Sequence, residues 1–503
     1  MAELTWHRVA GVEELPEGRV RTVVAGHRSV ALTHYDGQYG ALDNRCPHQG
    51  GPLGEGSIEN GLLRCPWHGF DYCPLTGRPP SEFADEVTTY AVEVRDDGVY
   101  VGVESLPAHA RTVSDVMVET MVAWGVRHVF GMVGHSNLGL ADAIRRRVDA
   151  GDLEYIGIRH EGAAAFAASA YGKLTGRPVA CLTIAGPGAT NLMTGLWDAK
   201  VDRAPVLALT GQVDVQVLGP GAFQEVDLAA AFAPVAAWSQ TVLPESRHAE
   251  LMALACKHAL LRRDVTHLIF PDDVQTLPAP DAPAHRPEGR VAPAEIAPPA
   301  ESLARALEFL AGAKRPVFIV GHGARNDMEP IVALAERLGA PIVTTFKAKG
   351  VVPDDHPLAA GVLGRSGTPV ASWLMNEADL LVVLGASFAN HTGIYQGHPI
   401  IQVDLDPLQL GKFHPVTVPV WAHVGVAARA LSDGLGSTAA TDQRGDVAAR
   451  RALWAAEKAS RAADDRGRGV NSAAVFAALT RRAPQDAVIA VDVGNHAYSF
   501  GRY

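Results

Sequence analysis

Cysteine is scarce in this chain, with 5 in 503 residues, too few for a disulfide framework. Aromatic residues make up only 6%. No apolar run approaches the roughly 20 residues a membrane-spanning helix requires, which excludes an integral membrane segment of that kind. Basic residues are outnumbered, 44 Lys+Arg against 55 Asp+Glu, for a net charge of −11. That sign argues against a nucleic-acid-binding surface and against a polybasic membrane patch. The opening Met1–Arg8 lacks the basic segment and apolar core of a secretory signal, so a cytoplasmic location is expected. What remains is a globular composition, 47% apolar and 20% charged, with many tight turns implied by Gly 50 and Pro 33. At roughly 100–200 residues per domain, about three domains are expected.

The first hundred residues read as short strands. Arg28–Tyr35 and Tyr39–Asn44 flank Asp36-Gly37, and Tyr90–Arg95 and Gly98–Val103 flank Asp96-Asp97-Gly98; both are hairpin signals, since glycine supplies the positive φ such turns need. From about Arg111 the pattern changes to apolar strands alternating with helices. Val126–Val133, Leu153–Ile158, Pro178–Ile184 and Pro205–Thr210 read as strands, Gly162–Thr175 and Asn191–Val201 as helices. A parallel sheet covered by helices follows. Residues 278–299 hold seven prolines and suit an extended linker. A second alternating region has strands Val317–Val320, Ile342–Thr345, Leu380–Leu384 and Ile400–Leu405. After a small, polar stretch over 436–446, helices are expected around Ala449–Ala463 and Ser472–Arg481, then a single strand, Ala487–Val493. The fold class expected is a small all-β domain followed by α/β domains with parallel sheets.

The placement of the cysteines says more than their number. Cys46-Pro47-His48 and Cys65-Pro66-Trp67-His68 form two Cys/His pairs, sixteen residues apart. Two thiols and two imidazoles on two rigid Gly/Pro-rich loops, Gln49–Gly54 after the first pair and Gly69 after the second, suit a metal centre in which the cysteines hold one iron and the histidines the other. The alternative is a Cys₂His₂ zinc site, but such sites pair Cys with Cys and His with His at short spacings. The pattern resembles the Rieske [2Fe–2S] ferredoxin family, and the resemblance extends over residues 1–104. It implies Cys46, His48, Cys65 and His68 as the metal ligands. Cys73 has no counterpart in the first loop, so no disulfide bridging the loops is expected. Cys181 and Cys256 lie in apolar segments and read as buried core residues.

The α/β region carries Arg159-His160-Glu161-Gly162, Ala185-Gly186-Pro187-Gly188-Ala189-Thr190-Asn191 and Phe223-Gln224-Glu225. Glu161 ends a strand expected to be buried and opens an Ala-rich helix, where a carboxylate can also serve only the helix dipole. The Gly-Pro-Gly turn is equally ambiguous, since helix starts bind anions but also simply need turns. Gly134-His135-Ser136 misses the second glycine of a nucleophile elbow, and Gly321-His322-Gly323 fails the dinucleotide pattern at its third glycine. Taken together, residues 112–435 resemble the thiamine-diphosphate enzymes of the pyruvate oxidase and acetolactate synthase group. The resemblance implies that Glu161 is catalytic, holding the cofactor's aminopyrimidine ring so that its thiazolium carbon ionises and attacks a 2-oxo acid. It also implies that Pro187, Asn191 and Gln224 line that cofactor and that His135 lies on the loop approaching substrate, as proton donor or bystander.

The same resemblance makes 112–277 a pyrimidine-binding domain and 300–435 a central domain. In the latter, Gly321, Gly323, Arg325, the Gly361–Gly367 stretch and Asp404 fall where flavin-holding members contact FAD; a purely structural domain is the alternative. Asp492-Val493-Gly494-Asn495-His496 resembles the opening of a diphosphate-binding domain, here expected over 470–503. The Gly-Asp-Gly segment that holds Mg²⁺ in the family is absent, and Gly445-Asp446 reads as part of a polar linker. Half of the cofactor site is thus expected from elsewhere: another chain, if this is one half of a split enzyme, or residues missing from a fragment. A homo-oligomer, dimer or tetramer, is expected on family grounds. The fusion implies oxidative decarboxylation of a small 2-oxo acid such as pyruvate, with electrons passed to the cluster. An acetolactate-synthase-like carboligase and a non-catalytic electron-transfer or scaffold subunit are the alternatives.

Overall fold

The computed structural model describes residues 4–26, 28–48, 50–80, 85–104, 111–279, 283–465, 467–484 and 486–503. Gln49 and residues 280–282 of the expected linker lie outside them. The chain forms two compact units, 1–291 and 292–503, and the division falls within the proline-rich stretch.

The first unit opens with nine short strands: β1 (Leu4–Ala10), β2 (Arg19–Ala25), β3 (Arg28–Tyr35), β4 (Gln38–Asp43), β5 (Ser57–Glu59), β6 (Leu62–Arg64), β7 (Asp71–Tyr72), β8 (Ala91–Arg95) and β9 (Gly98–Glu104). They form three antiparallel sheets, ordered β1-β9-β8, β2-β3-β4 and β5-β6-β7. The β3–β4 turn has Asp36 and Gly37 at φ 53° and 70°, and the β5–β6 turn has Asn60 and Gly61 at φ 53° and 80°. Two positive φ values in a two-residue turn match the right-handed twist of the flanking strands. Val30, Leu32, Val99 and Val101 fill the core beneath.

There follow α1 (Val113–Ala123), β10 (His128–Gly131), α2 (Leu138–Asp149), β11 (Glu154–Gly157), α3 (Glu161–Thr175), β12 (Val179–Thr183), α4 (Pro187–Thr190), α5 (Met193–Val201), β13 (Val206–Gln212), α6 (Leu228–Phe232), β14 (Trp238–Thr241), α7 (His248–Arg262), β15 (Val265–Pro271) and α8 (Asp272–Gln275). The helix starts are specified locally. Thr112 and Asp115 satisfy each other's backbone N–H groups in a capping box at α1. The strands make one parallel sheet in the order β11-β10-β12-β13-β15-β14. Every residue of β12, β13 and β15 is buried, as expected of strands covered on both faces. The strand before Glu161 departs from expectation: β11 is an edge strand, half exposed, because it has a neighbour on one side only.

The second unit contains α9 (Ala300–Gly312), β16 (Pro316–Val320), α10 (Met328–Leu338), β17 (Ile342–Thr344), β18 (Ala359–Val362), α11 (Pro369–Glu377), β19 (Leu380–Leu384), β20 (Ile400–Asp404), β21 (Val418–Trp421), α12 (Val424–Gly434), α13 (Arg444–Ala463), α14 (Ser472–Arg482) and α15 (Asn495–Arg502). Its parallel sheet runs β18-β17-β16-β19-β20-β21, the doubly wound order of nucleotide-binding folds. Two expectations are corrected. Gly445-Asp446 lies in the first turn of α13 rather than in a linker, with Asp446 paired to Arg315 at 2.8 Å. Ala487–Val493 forms no strand: Val488 and Val493 are 80% and 89% exposed. The stretch has β propensity, but no strand edge among the described residues pairs with it.

Candidate cofactor sites

The two Cys/His loops share one backbone geometry. Cys46 N donates to Gly51 O at 2.9 Å and Gly50 N to Cys46 O at 2.8 Å; Cys65 N donates to Phe70 O at 2.8 Å and Gly69 N to Cys65 O at 3.1 Å. Gly50 and Gly69 close the two turns at φ 81° and 71°, a region open to glycine. These matched knuckles place the two buried thiols as neighbours, close enough that Cys46 acts on the Cys65 thiol. The two exposed imidazoles, His48 and His68, meet edge to face with ring centroids 4.9 Å apart. The side chains therefore pair by type, thiol with thiol and imidazole with imidazole, one from each loop. Among the described residues no three thiol, imidazole or carboxylate groups converge as a single ion requires. Pairing by type suits a two-iron cluster with one all-sulfur and one imidazole-bound iron, so the residues present fit the group.

Neighbours missed by the sequence reading support this centre. The Tyr72 hydroxyl lies 3.2 Å from Cys46 Sγ, fully buried, and Phe70 stacks on His48 at 4.1 Å. A Cβ on Gly51 would lie 2.7 Å from Cys65 Sγ, so that glycine lets the first loop approach the second. Burial pushes the Cys65 thiol up, while the N–H groups of Trp67 and His68 pull it down and contact with Cys46 raises it further. Tyr72 is twenty-six residues from Cys46, and nothing in its local sequence marks the contact. All five cysteines are free.

The second candidate site lies at the carboxyl ends of β10 and β12, where the strand order reverses, the place ligands occupy in doubly wound sheets. The loop after β10 carries His135, and the loop after β12 carries Gly186-Pro187-Gly188. Ser136, which a nucleophile role would expose, is instead buried and joins the two loops: its Oγ accepts from Ala185 N at 2.8 Å, and its carbonyl accepts from Gln275 Nε2 at 2.9 Å. Glu161 stands at the start of α3, half-buried rather than buried. Asn191 Nδ2 donates to Glu161 Oε2 at 3.1 Å. That alignment is set by close packing of α3 on α5, where a Cβ on Gly195 would lie 2.6 Å from Ala165 Cβ. A Cβ on Gly188 would stand 3.3 Å from Glu161 Oε1, so glycine leaves the carboxylate uncrowded. Gln224 lies against the same turn, its carbonyl oxygen 2.7 Å from where a Gly186 Cβ would be. Glu161, Pro187, Asn191 and Gln224 therefore come together. His135 is on the rim, 88% exposed, with Nδ1 3.9 Å from Asp272. Burial, countered by His135 and reinforced by Asp214 and Asp273, holds the Asp272 carboxyl above its ordinary range. An oriented, uncrowded carboxylate beside an open turn fits an aminopyrimidine ring.

In the second unit, Gly321 and Gly323 follow β16 at the corresponding reversal, between β16 and β19. Their glycine character has a packing cause. Gly323 N donates to Gly385 O at 3.0 Å, and a Cβ on Gly321 would lie 2.2 Å from that oxygen. Arg325 Nη1 donates to His322 O at 3.1 Å, and Asp404 Oδ1, at the end of β20, accepts from Asp406 N at 2.9 Å. The Gly361–Gly367 stretch carries α15: Arg502 donates to Arg365 O at 3.1 Å. These residues share the carboxyl edge of the sheet.

Comparison with known proteins agrees with this division. Residues 5–91 match the family model of the Rieske [2Fe-2S] domain, residues 111–231 that of the thiamine pyrophosphate enzyme N-terminal TPP binding domain, and residues 303–431 that of the thiamine pyrophosphate enzyme central domain. Similar proteins include an acetolactate synthase of Arthrospira platensis (34% identical, 64% of this chain and 57% of the relative) and a pyruvate oxidase of Lactiplantibacillus plantarum (30%, 75% and 63%). A sulfoacetaldehyde acetyltransferase of Rhodobacter capsulatus is 30% identical over 76% of this chain and 69% of its own length. The chain spans less than two thirds of the length of most of the curated relatives it matches. It belongs to the thiamine pyrophosphate enzymes of the acetolactate synthase and pyruvate oxidase group, with a Rieske [2Fe-2S] domain preceding the family's N-terminal and central domains.

Proposed function

We propose that this chain serves the oxidative decarboxylation of a small 2-oxo acid, pyruvate-like, and passes the electrons to its own Rieske centre. The observation that carries the reading is the presence, on one polypeptide, of an oriented Glu161 crevice and a two-iron ligand set with both imidazoles exposed. Thiamine diphosphate, when bound, supplies a nucleophilic carbon for loss of CO₂, and the cluster supplies a one-electron acceptor. Glu161 holds a proton at the pyrimidine ring, and Asn191 keeps its carboxylate aimed there. Pro187 and Gln224 shape the walls. His135, near Asp272, faces the mouth and exchanges protons with substrate. Cys46 and Cys65 hold one iron, His48 and His68 the other. FAD, if used, lies along Gly321, Gly323, Arg325 and Asp404. Mg²⁺ and the diphosphate are held by a domain with a Gly-Asp-Gly segment, supplied by a separate chain or by residues missing from a fragment.

The test is anaerobic mixing of pyruvate with the chain, thiamine diphosphate and Mg²⁺, with and without a chain carrying that diphosphate-binding domain. Release of one CO₂ for every two clusters reduced is expected, pyruvate and water giving acetate, CO₂, two protons and two electrons. Acetolactate formed without cluster reduction sinks the oxidative reading and establishes the second one, a carboligase, which the similarity to acetolactate synthases favours. Glu161→Gln should abolish turnover and spare the Rieske EPR signal, whereas Cys65→Ser should abolish the signal.

A further inference from the structure

The loop 213–227, between β13 and α6, is folded around one carboxylate. Glu225 Oε1 accepts from Gly219 N at 2.7 Å, and Oε2 accepts from Gly221 N and Ala222 N, each at 2.9 Å. Glu225 N in turn donates to Ala222 O at 2.9 Å. On the far side, buried Gln212 at the end of β13 donates from Nε2 to Val226 O at 2.9 Å, and Asp227 caps α6 through Ala230 N at 3.0 Å. Gln224 sits between these anchors at φ 66°, a conformation that side-chain-bearing residues rarely adopt. Such backbone persists only where the surroundings over-determine it, and it clusters at functional sites. Gln224 is also pressed onto the Gly-Pro-Gly turn, its Cα, Cβ and carbonyl oxygen within 3.0 Å of where a Gly186 Cβ would stand.

We propose that Glu225 is the positioning residue for Gln224: its three-point clasp on residues 219–222 holds Gln224 in the left-handed conformation against Gly186, and so sets the wall of the cofactor crevice. The proposal rests on the reading of that crevice as the pyrimidine site. The clasp needs two acceptor oxygens. A carboxylate has both, and charge-assisted bonds to N–H groups are the stronger kind. A carboxamide has one oxygen and turns an NH₂ group toward N–H donors. The same three donors hold the Glu225 carboxyl below its ordinary range, which agrees with an ionised clasp. Without the clasp, Gln224 relaxes to negative φ and its side chain leaves the turn. Phe223, 90% exposed beside it, moves with it.

The test compares the chain with its Glu225→Gln variant by hydrogen–deuterium exchange in the absence of cofactor, and then by calorimetric titration with thiamine diphosphate and Mg²⁺ in the presence of a chain carrying the diphosphate-binding domain. Exchange across 219–224 should be at least about tenfold faster in the variant, while β13 and α6 keep their protection. Glu225→Asp, which keeps the charge but is one methylene short, should fall between the two and covers the case in which Glu225→Gln does not fold. Thiamine diphosphate affinity should drop about tenfold, and the drop should vanish in a Gln224→Ala background, since Glu225 acts through Gln224. Unchanged exchange over 219–224, or a full further loss of affinity on Gln224→Ala, overturns the proposal. A wild-type chain that binds no thiamine diphosphate even beside a chain carrying the diphosphate-binding domain refutes the cofactor reading instead, and the exchange comparison then decides the clasp by itself.

Discussion

Tyr72 and His267 show how single side chains act through what surrounds them. The Tyr72 hydroxyl reaches the sulfur of Cys46 inside the core of the small domain. A hydrogen bond to a ligating sulfur favours the more electron-rich, reduced cluster. Tyr72→Phe should therefore lower the midpoint potential by on the order of tens of millivolts, read by anaerobic voltammetry; an unchanged potential would mean that the hydroxyl does not serve the sulfur. His267 is buried in β15 with Nε2 2.8 Å from Thr210 Oγ1 and Nδ1 2.9 Å from Ser239 Oγ, and it stacks on Phe232 at 3.9 Å. One nitrogen donates and the other accepts, so the two hydroxyls complement a neutral ring. Burial pushes its pKa down to about 3. The unfolded chain takes up a proton near the ordinary histidine value of about 6.5, and the folded chain resists it, so this contribution to stability is full above about pH 6.5 and is lost as pH falls toward 3. Between pH 7 and pH 5 the wild-type chain should lose about 2 kcal/mol that His267→Gln does not lose, measured by urea unfolding at the two pH values. At this scale residue type alone singled out the candidate ligands Cys46, His48, Cys65 and His68. It was silent on Tyr72, Ser136 and Glu225, whose partners are set by folding.

Elements buried on both faces were readable because their apolar runs are nearly continuous: β12, β13, β16 and β19 all fall where the pattern places strands. The edge strands β11, β14 and β21 are shorter and half exposed, and β18 is as short though buried, so alternation and hydrophobicity mark them weakly or misplace their burial. Ala487–Val493 is the reverse case, a strand-like composition without a neighbour. The glycines after β16 belong to this scale too. Gly321-His322-Gly323 fails a dinucleotide fingerprint as a string, yet its first glycine is required by the loop after β19. In Gly321→Ala the new Cβ would stand 2.2 Å from Gly385 O and 2.4 Å from Ala386 Cα, both backbone atoms that cannot swing aside. A loss of about 1–3 kcal/mol is expected, visible as a lower urea midpoint with unchanged iron content. A variant as stable as wild type would show that these loops part without cost.

Across the whole molecule, each apolar core lies within one domain: the small β domain, the β10–β15 sheet with its helices and the β16–β21 sheet with its helices have separate clusters. Iron ligated by the small domain should stabilise that domain alone, because a ligand that binds only the native form adds its binding energy to the unit it holds together. Scanning calorimetry of the iron-loaded and chelated chain should show one transition moving down and the α/β transitions staying in place. A single transition that shifts as a whole would show that the domains unfold together. The scarce cysteines, the turn dipeptides and the two spans of strand–helix alternation determined the fold class, the order of modules and which side chains are candidates to ligate metal, because ligand chemistry and local periodicity are written residue by residue. Only the tertiary structure decided that thiol meets thiol and imidazole meets imidazole, that Asn191 aims Glu161, that Ser136 ties two loops together and that Glu225 holds Gln224. Those contacts join residues brought together by sheet order and loop closure, and no local pattern in the chain records them.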